Sequence, residues 1–177
     1  MINETGKNLE EAVNVLAKVD GHLDGVFKIE GKTRKQWRNQ LRVDFPEDEI
    51  TFADLIKLGA KIANNYQIAA RHRDHQTLTI DTLSRTRFDT YNREYKAILD
   101  DYIEKTGKAL AQKSCEVKAN AAVRELDSAI GTVKTIRDFW AKTCDTLVEA
   151  RKSLEVVAHA LSGDARIGRD FVVKLPR

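Results

Sequence analysis

Five basic side chains and no acidic one fall within Lys32–Arg42, which reads Lys-Thr-Arg-Lys-Gln-Trp-Arg-Asn-Gln-Leu-Arg. Wound as a helix, this stretch sets Arg34, Arg38 and Arg42 at four-residue steps on one side, with Lys35 adjacent and with Trp37 and Leu41 on a neighbouring apolar strip. Cations in a row suit a phosphate backbone and an indole suits a base. Lys32, Arg34, Lys35, Trp37, Arg38 and Arg42 are therefore the first candidates for contact with nucleic acid. The competing reading is an ordinary amphipathic helix that packs Trp37 into a core and turns its charges to water.

A second basic and aromatic region runs from Arg71 to Lys96. Its aromatics Phe88, Tyr91 and Tyr95 recur at the spacing of a packed helix face, which assigns most of them to a core. Its arginines are the better candidates: Arg71, Arg73, Arg85 and Arg87 would gather into a local positive patch if the chain turns near residues 76–84.

Other reactive side chains are present without a reactive arrangement. His72, Asp74 and His75 fall short of a metal's ligand set, and no paired Glu-x-x-His elements occur. Glu155 and His159, four apart, make an ordinary helix-surface pair. The run Ala158–Gly168 is similar to the phosphorelay motif of histidine phosphotransfer domains, but Ser162 stands where that motif has lysine; Gly163 reads better as a helix C-cap. Gly107-Lys108 lacks the upstream glycine of a phosphate-binding loop, Tyr102 standing there instead. No nucleophile with a base beside it is visible, so the expectation is a protein that is not an enzyme and uses no metal or cofactor.

The elements that carry these residues follow from periodicity. Leu9, Ala12, Val13 and Leu16 mark one face of a first helix, and Gly21, Gly25 and Gly31 bracket a short extended segment around Val26–Glu30. Thr33 opens the basic helix. Thr51, with Asp54 in capping-box position, opens a longer one whose face is Leu55, Leu58, Ile62, Tyr66 and Ala69. The threonine-rich stretch Gln76–Ser84 predicts a turn or kink there. After Ala109–Ala122, Leu126, Val133, Trp140, Leu147, Leu154 and Leu161 repeat at strict seven-residue spacing, a seam on the order of 50 Å long that serves packing or oligomer formation. Between them, Arg137 and Arg151 interrupt the alternate row of Ile130, Cys144 and Ala158, which favours an intramolecular bundle that also oligomerises over a tight two-stranded zipper. Phe171-Val172-Val173 predicts an extended tail able to pair with the strand near Phe27.

The fold class expected is all-α, a long antiparallel helical hairpin or three-helix bundle with coiled-coil-like packing, plus a small N-terminal helical region and a short two-stranded β element. Three regions follow: 1–48 for the N-terminal helix, glycine-rich segment and basic helix; 49–163 for the long-helix bundle; and 164–177 for the tail. A net charge of +3, from 30 basic and 27 acidic residues, is too small to announce a nucleic-acid binder by itself, and the even spread of charge along the chain leaves no polybasic tail. Cys115 and Cys144 show no ligand-like spacing and read as free thiols of a cytoplasmic protein, and no run is apolar enough for a membrane.

From about Lys113 to Leu161 the chain resembles the single-stranded-DNA recombination mediators of T4-like phages. The resemblance rests on Lys118-Ala119-Asn120-Ala121-Ala122-Val123-Arg124, on Trp140 with Cys144, and on Ala150-Arg151-Lys152-Ser153-Leu154. It implies a homo-oligomer in the host cytoplasm that binds single-stranded DNA and assists a recombinase or another phage protein. An assembly module, such as a phage structural or packaging adaptor with no affinity for nucleic acid, is the alternative.

Overall fold

The computed structural model of the chain describes residues 25, 27–46, 49–108, 112–165 and 173–174, and they form two compact units. The first takes residues up to Leu58 together with those from Ala160 onward; the second is Gly59–His159. The fold is all-α, with a long packed helix pair and small two-stranded antiparallel sheets. The helix expected at Asn8–Lys18 lies outside the described residues.

In the first unit, β1 (Lys28–Ile29) and β2 (Lys32–Thr33) pair antiparallel across a two-residue turn, with Lys28 opposite Thr33 and Ile29 opposite Lys32. Both turn residues have positive φ, 51° at Glu30 and 76° at Gly31, the backbone that matches the right-handed twist of a tight hairpin. Thr33 then caps α1 (Arg34–Leu41): the Gln36 amide donates to Thr33 Oγ1 at 3.3 Å, and the Thr33 amide donates to Gln36 Oε1 at 2.8 Å. Phe27, Trp37 and Leu41 are the buried side chains of this small motif.

The C-terminal strand β4 (Val173–Lys174) pairs with β3 (Glu49–Ile50), placing Ile50 opposite Val173. The expected pairing with the strand near Phe27 is therefore corrected: β1 is already satisfied by β2, and closing a two-residue loop costs far less chain entropy than recruiting a distant tail. Ile50, opposite Val173, is buried.

Thr51 and Asp54 form the expected capping box. The Asp54 amide donates to Thr51 Oγ1 at 3.2 Å, while the Thr51 amide and hydroxyl donate to Asp54 Oδ2 at 3.1 and 2.6 Å. These bonds hold the Asp54 carboxyl below its ordinary value. They launch α2 (Phe52–Thr106), 55 residues with no break.

The turn expected at Gln76–Ser84 does not occur. The hydroxyls of Thr77, Thr79, Thr82 and Thr86 each donate to the carbonyl four residues back, at 3.1, 2.9, 2.9 and 3.0 Å. Each threonine thus satisfies its polar group on its own helix. The propensity deficit of such residues is a few tenths of a kcal/mol apiece, and burying Ile80 and half-burying Leu83 outweighs it. Gly107 ends α2: its φ is +64°, and its amide donates to Ile103 O at 2.8 Å, the left-handed stop that a glycine adopts without strain.

The return path is α3 (Gln112–Ala122), a single non-helical residue at Val123, and α4 (Arg124–Ala165). The Val123 amide donates to the carbonyl three residues back, Asn120 O, at 3.3 Å, and the Val123 carbonyl starts α4 by accepting from the Asp127 amide at 3.0 Å. At its far end α4 continues through Gly163 to Ala165, so Gly163 is not the C-cap expected of it.

Within the second unit α2 and α4 run antiparallel, as three contacts show. A Cβ built on Gly59 would lie 3.5 Å from Leu154, the His72 ring stacks on Trp140, and Arg87 reaches Asp127. As the α2 partner climbs from 59 to 72 to 87, the α4 partner falls from 154 to 140 to 127. Of the predicted seam, Trp140, Leu147, Leu154 and Leu161 are buried, whereas Leu126 and Val133 are half-buried. Ile62, Asn65, Ala69 and Ile80 are the buried residues of α2 in this unit.

These features fix several measurable consequences. Trp140 is fully buried, 4.5 Å from the His72 ring centroid and edge-on to Phe139 at 5.1 Å. Trp140→Ala should cost about 3–5 kcal/mol, read as a lower denaturant midpoint at unchanged slope. A Cβ at helical Gly131 meets nothing within 4 Å, so Gly131→Ala should gain up to about 1 kcal/mol, whereas Gly107→Ala should lose stability because its backbone is left-handed.

Asp54 and Asp127 both titrate below the ordinary 3.8 in the folded chain, each held down first by a side-chain hydrogen bond, from Thr51 and from Arg87 respectively. Their stabilisation is complete above that value and is lost as pH falls through the depressed folded values. Melting temperature should therefore drop below about pH 4, and Asp127→Asn should flatten that slope.

Candidate nucleic-acid interface

The cations of α1 sit on a rigid base. Arg34 and Arg38 are one turn, about 6 Å, apart along the helix, and Arg42 follows as its C-cap in extended backbone. Lys35, Arg38 and Arg42 are exposed and Arg34 is half-buried. Arg42 pairs with Asp44 through Nε, and both groups are open to water, so a stronger anion can displace the carboxylate. Lys32 is pinned rather than free: its Nζ lies 4.6 Å from the Trp37 ring centroid and donates to Gln40 Oε1 at 2.7 Å.

Trp37 does not offer its ring to a base. It is 2% exposed, and its Nε1 donates to Ile29 O at 3.1 Å, tying α1 to the hairpin. The stacking role considered for it is corrected to a core role. Trp37 and Leu41, one helical turn apart, supply with Phe27 the buried side chains of this motif, and burial of an indole outweighs the use of its face outside.

The second set of arginines lies on α2 and does not cluster about a turn, because the helix is continuous there. Arg71 and Arg85 are exposed, make no ion pair among the described residues, and stand about 21 Å apart along the axis. Arg73 is held by its neighbour Asp74, with Nε and Nη2 at 3.0 and 2.9 Å from Oδ1. Arg87 is a strut between helices, donating to the two Asp127 oxygens at 2.7 and 3.3 Å, and that bond raises its own affinity for the proton. Of the four predicted α2 arginines, two are already engaged and two are available.

Of the aromatics expected in the core, Phe88 is instead 62% exposed, while Tyr91 and Tyr95 are half-buried and stacked at 6.1 Å. The rows that face α4 pass through Ile80 and Arg87, and through Gln76 and Leu83, at seven-residue intervals. Phe88 falls one position past the first row. Phasing the stripe on Ile80 and Leu83 instead of on the aromatics would have placed it outside.

The remaining candidates disperse. His72 is stacked on Trp140, Asp74 is engaged by Arg73, and His75 points to water. Cys115 and Cys144 are buried free thiols, and burial pushes the Cys144 thiol above its ordinary value. Among the described residues no three His, Cys, Asp or Glu side chains converge as a metal would need, and no helix is long and apolar enough to cross a membrane.

One concavity lies between α2 and α4. Gly59 and Ala63 on one side and Leu147, Val148 and Leu154 on the other leave a groove of about 550 Å³, rimmed by Tyr66 and by the Arg151–Glu155 ion pair. The small residues at 59 and 63 open it, since neither fills the space that larger side chains occupy elsewhere along the pair.

No protein-family model matches the chain, and no curated protein or solved structure matches it either.

Proposed function

We propose that this chain is a non-enzymatic helical protein that binds single-stranded nucleic acid and works as a homo-oligomer, in the manner of a phage recombination accessory or mediator protein acting beside a recombinase in the host cytoplasm. The observation that carries the reading is the acid-free row of α1. Arg34, Lys35 and Arg38 stand on a helix that is capped at Thr33, anchored by buried Trp37 and braced by the hairpin before it, and Arg42 is the residue at its C-cap. Cations preorganised in this way lose little entropy on meeting a chain of phosphates, and the counterions released make the binding depend on salt. On α2, Arg71 and Arg85 are separate exposed cations.

A second reading is favoured by the groove at Gly59 and Ala63. There the working surface is the helix pair, and the protein is an assembly module with no affinity for nucleic acid. The two readings part on one measurement.

Affinity for single-stranded DNA followed over a salt series should fall log-linearly, with each phosphate contact contributing about 0.7 to the slope. Arg34→Ala, Arg38→Ala and Arg42→Ala together should reduce that slope by about 2 and weaken binding at low salt. No binding at low salt, or full binding by the triple variant, discards the nucleic-acid reading. Light scattering on the same samples gives the oligomer size and tests assembly separately.

A further inference from the structure

The buried seam of α4 is consumed within the second unit, where His72 stacks on Trp140 and Leu154 packs beside Gly59. Copies of the chain must meet through another surface. The α2–α4 pair has two broad sides, because residues one and three places after Ile62 or Trp140 project to opposite flanks of their helices. One side holds the groove at Gly59 and Ala63 and carries exposed Asp74, Asp81, Lys134, Asp138 and Lys152. The other consists of the seven-residue rows that start at Asn65 and Ile68 on α2 and at Ala129 and Thr132 on α4. As far as Thr86 and Val157 these rows contain no Asp, Glu, Lys or Arg, in a chain whose residues are 32% charged.

We infer that this uncharged side is a self-association surface, and that two copies of the chain pack their second units through it as a four-helix bundle about a two-fold axis. The inference rests on the homo-oligomer reading given above and names the surface that serves it.

The hydroxyls of this side are already satisfied. Thr79, Thr82 and Thr86 on α2 and Thr132, Thr143 and Thr146 on α4 each donate to the carbonyl four residues back, at 2.9 to 3.2 Å. Covering them therefore strands no hydroxyl proton, and their methyl groups add to the apolar surface. Ile68, Ile136 and Phe139 lie among them, each with part of its surface in water.

Charge and area together select a second copy as the occupant. A charged surface laid here would lose its hydration and find no counter-charge, so the partner must be uncharged as well. Among the described residues of the second unit this side meets that condition and the groove side does not. A two-fold axis brings it against itself. At about 1.5 Å per residue and about 10 Å of width per helix, the rows cover about 700 Å² on each copy and about 1,400 Å² in the pair, as a specific, stable interface needs.

The test is the mass of the full chain by light scattering, with circular dichroism alongside, for Thr82→Glu, Thr146→Glu and the matched Thr77→Glu on the groove side. All three threonines are exposed and bond their own helix, so helicity should not change. The unmodified chain should show twice its 20.0 kDa. Thr82→Glu and Thr146→Glu should each weaken self-association about 100-fold, since every dimer would then bury two like charges, while Thr77→Glu should leave it as it was.

A full dimer mass in both Thr82→Glu and Thr146→Glu overturns the assignment of this side and leaves the homo-oligomer reading standing; loss of mass in Thr77→Glu alone moves the contact to the groove side. An odd number of copies in the unmodified chain also overturns it, because a two-fold contact closes in pairs. An unmodified chain that stays monomeric removes the homo-oligomer reading and this inference together.

Discussion

Everything in the second unit depends on a seam in which only one of two rows is dry. Each long helix presents two rows of positions to the other, as any antiparallel pair does. One row is Ile62 and Ala69 on α2 facing Trp140, Leu147 and Leu154 on α4, and all five are buried. The other row holds Gly59, Tyr66, Arg73, Ile80 and Arg87 on α2, and Ile130, Arg137, Cys144 and Arg151 on α4, of which Ile80, Ile130 and Cys144 are buried. A row so mixed contributes less apolar burial than the dry row, whose large side chains make up the difference. Trp140 is the extreme case, with the His72 ring on one face and the Phe139 edge nearby. The arginines of the mixed row then act at its margins, as Arg87 does toward Asp127, where both charges keep contact with water and the gain is correspondingly modest.

That arrangement explains which parts of the fold could be read from the amino-acid order. A seven-residue repeat is a geometric statement, so Leu126 to Leu161 announced a long helix in need of a partner, and Thr33 and Thr51 announced helix starts through hydrogen bonds that depend only on near neighbours. What escaped was everything decided by competition between distant groups. The threonines of Gln76–Ser84 weaken an isolated helix, but packing of Ile80 and back-bonding of their own hydroxyls hold them in one. The C-terminal strand had two possible edges, and only the closure of β1 upon β2 left β3 as the vacant one.

The candidate site was legible in its charges and not in its rings. Basic residues at four-residue steps reach solvent on almost any helix, so Arg38 and Arg42 were safe readings. An aromatic is harder, because its place depends on the angular phase of the whole helix. Trp37 was drawn inward beside Phe27 and Leu41, and Phe88 was turned outward by a phase set at Ile80 and Leu83. The two rings exchanged the roles that composition alone would assign them.

The single non-helical residue at Val123 has a further meaning. Cys115, Ala119 and Val123 are buried at two successive four-residue steps, after which Ile130, Trp140, Cys144 and Leu147 keep to the seven-residue repeat. Two fours in a row are what an inserted stutter leaves in a coiled coil, and a stutter locally relaxes left-handed winding. The seven-residue packing therefore begins past Val123, on α4, and the arm from Gln112 to Val123 follows a four-residue step instead. Changes of length on the coiled part must come in sevens to keep its dry row continuous, whereas the Val123 junction already absorbs a different period and is the one point among the described residues where the return arm can change its count without rotating the seam.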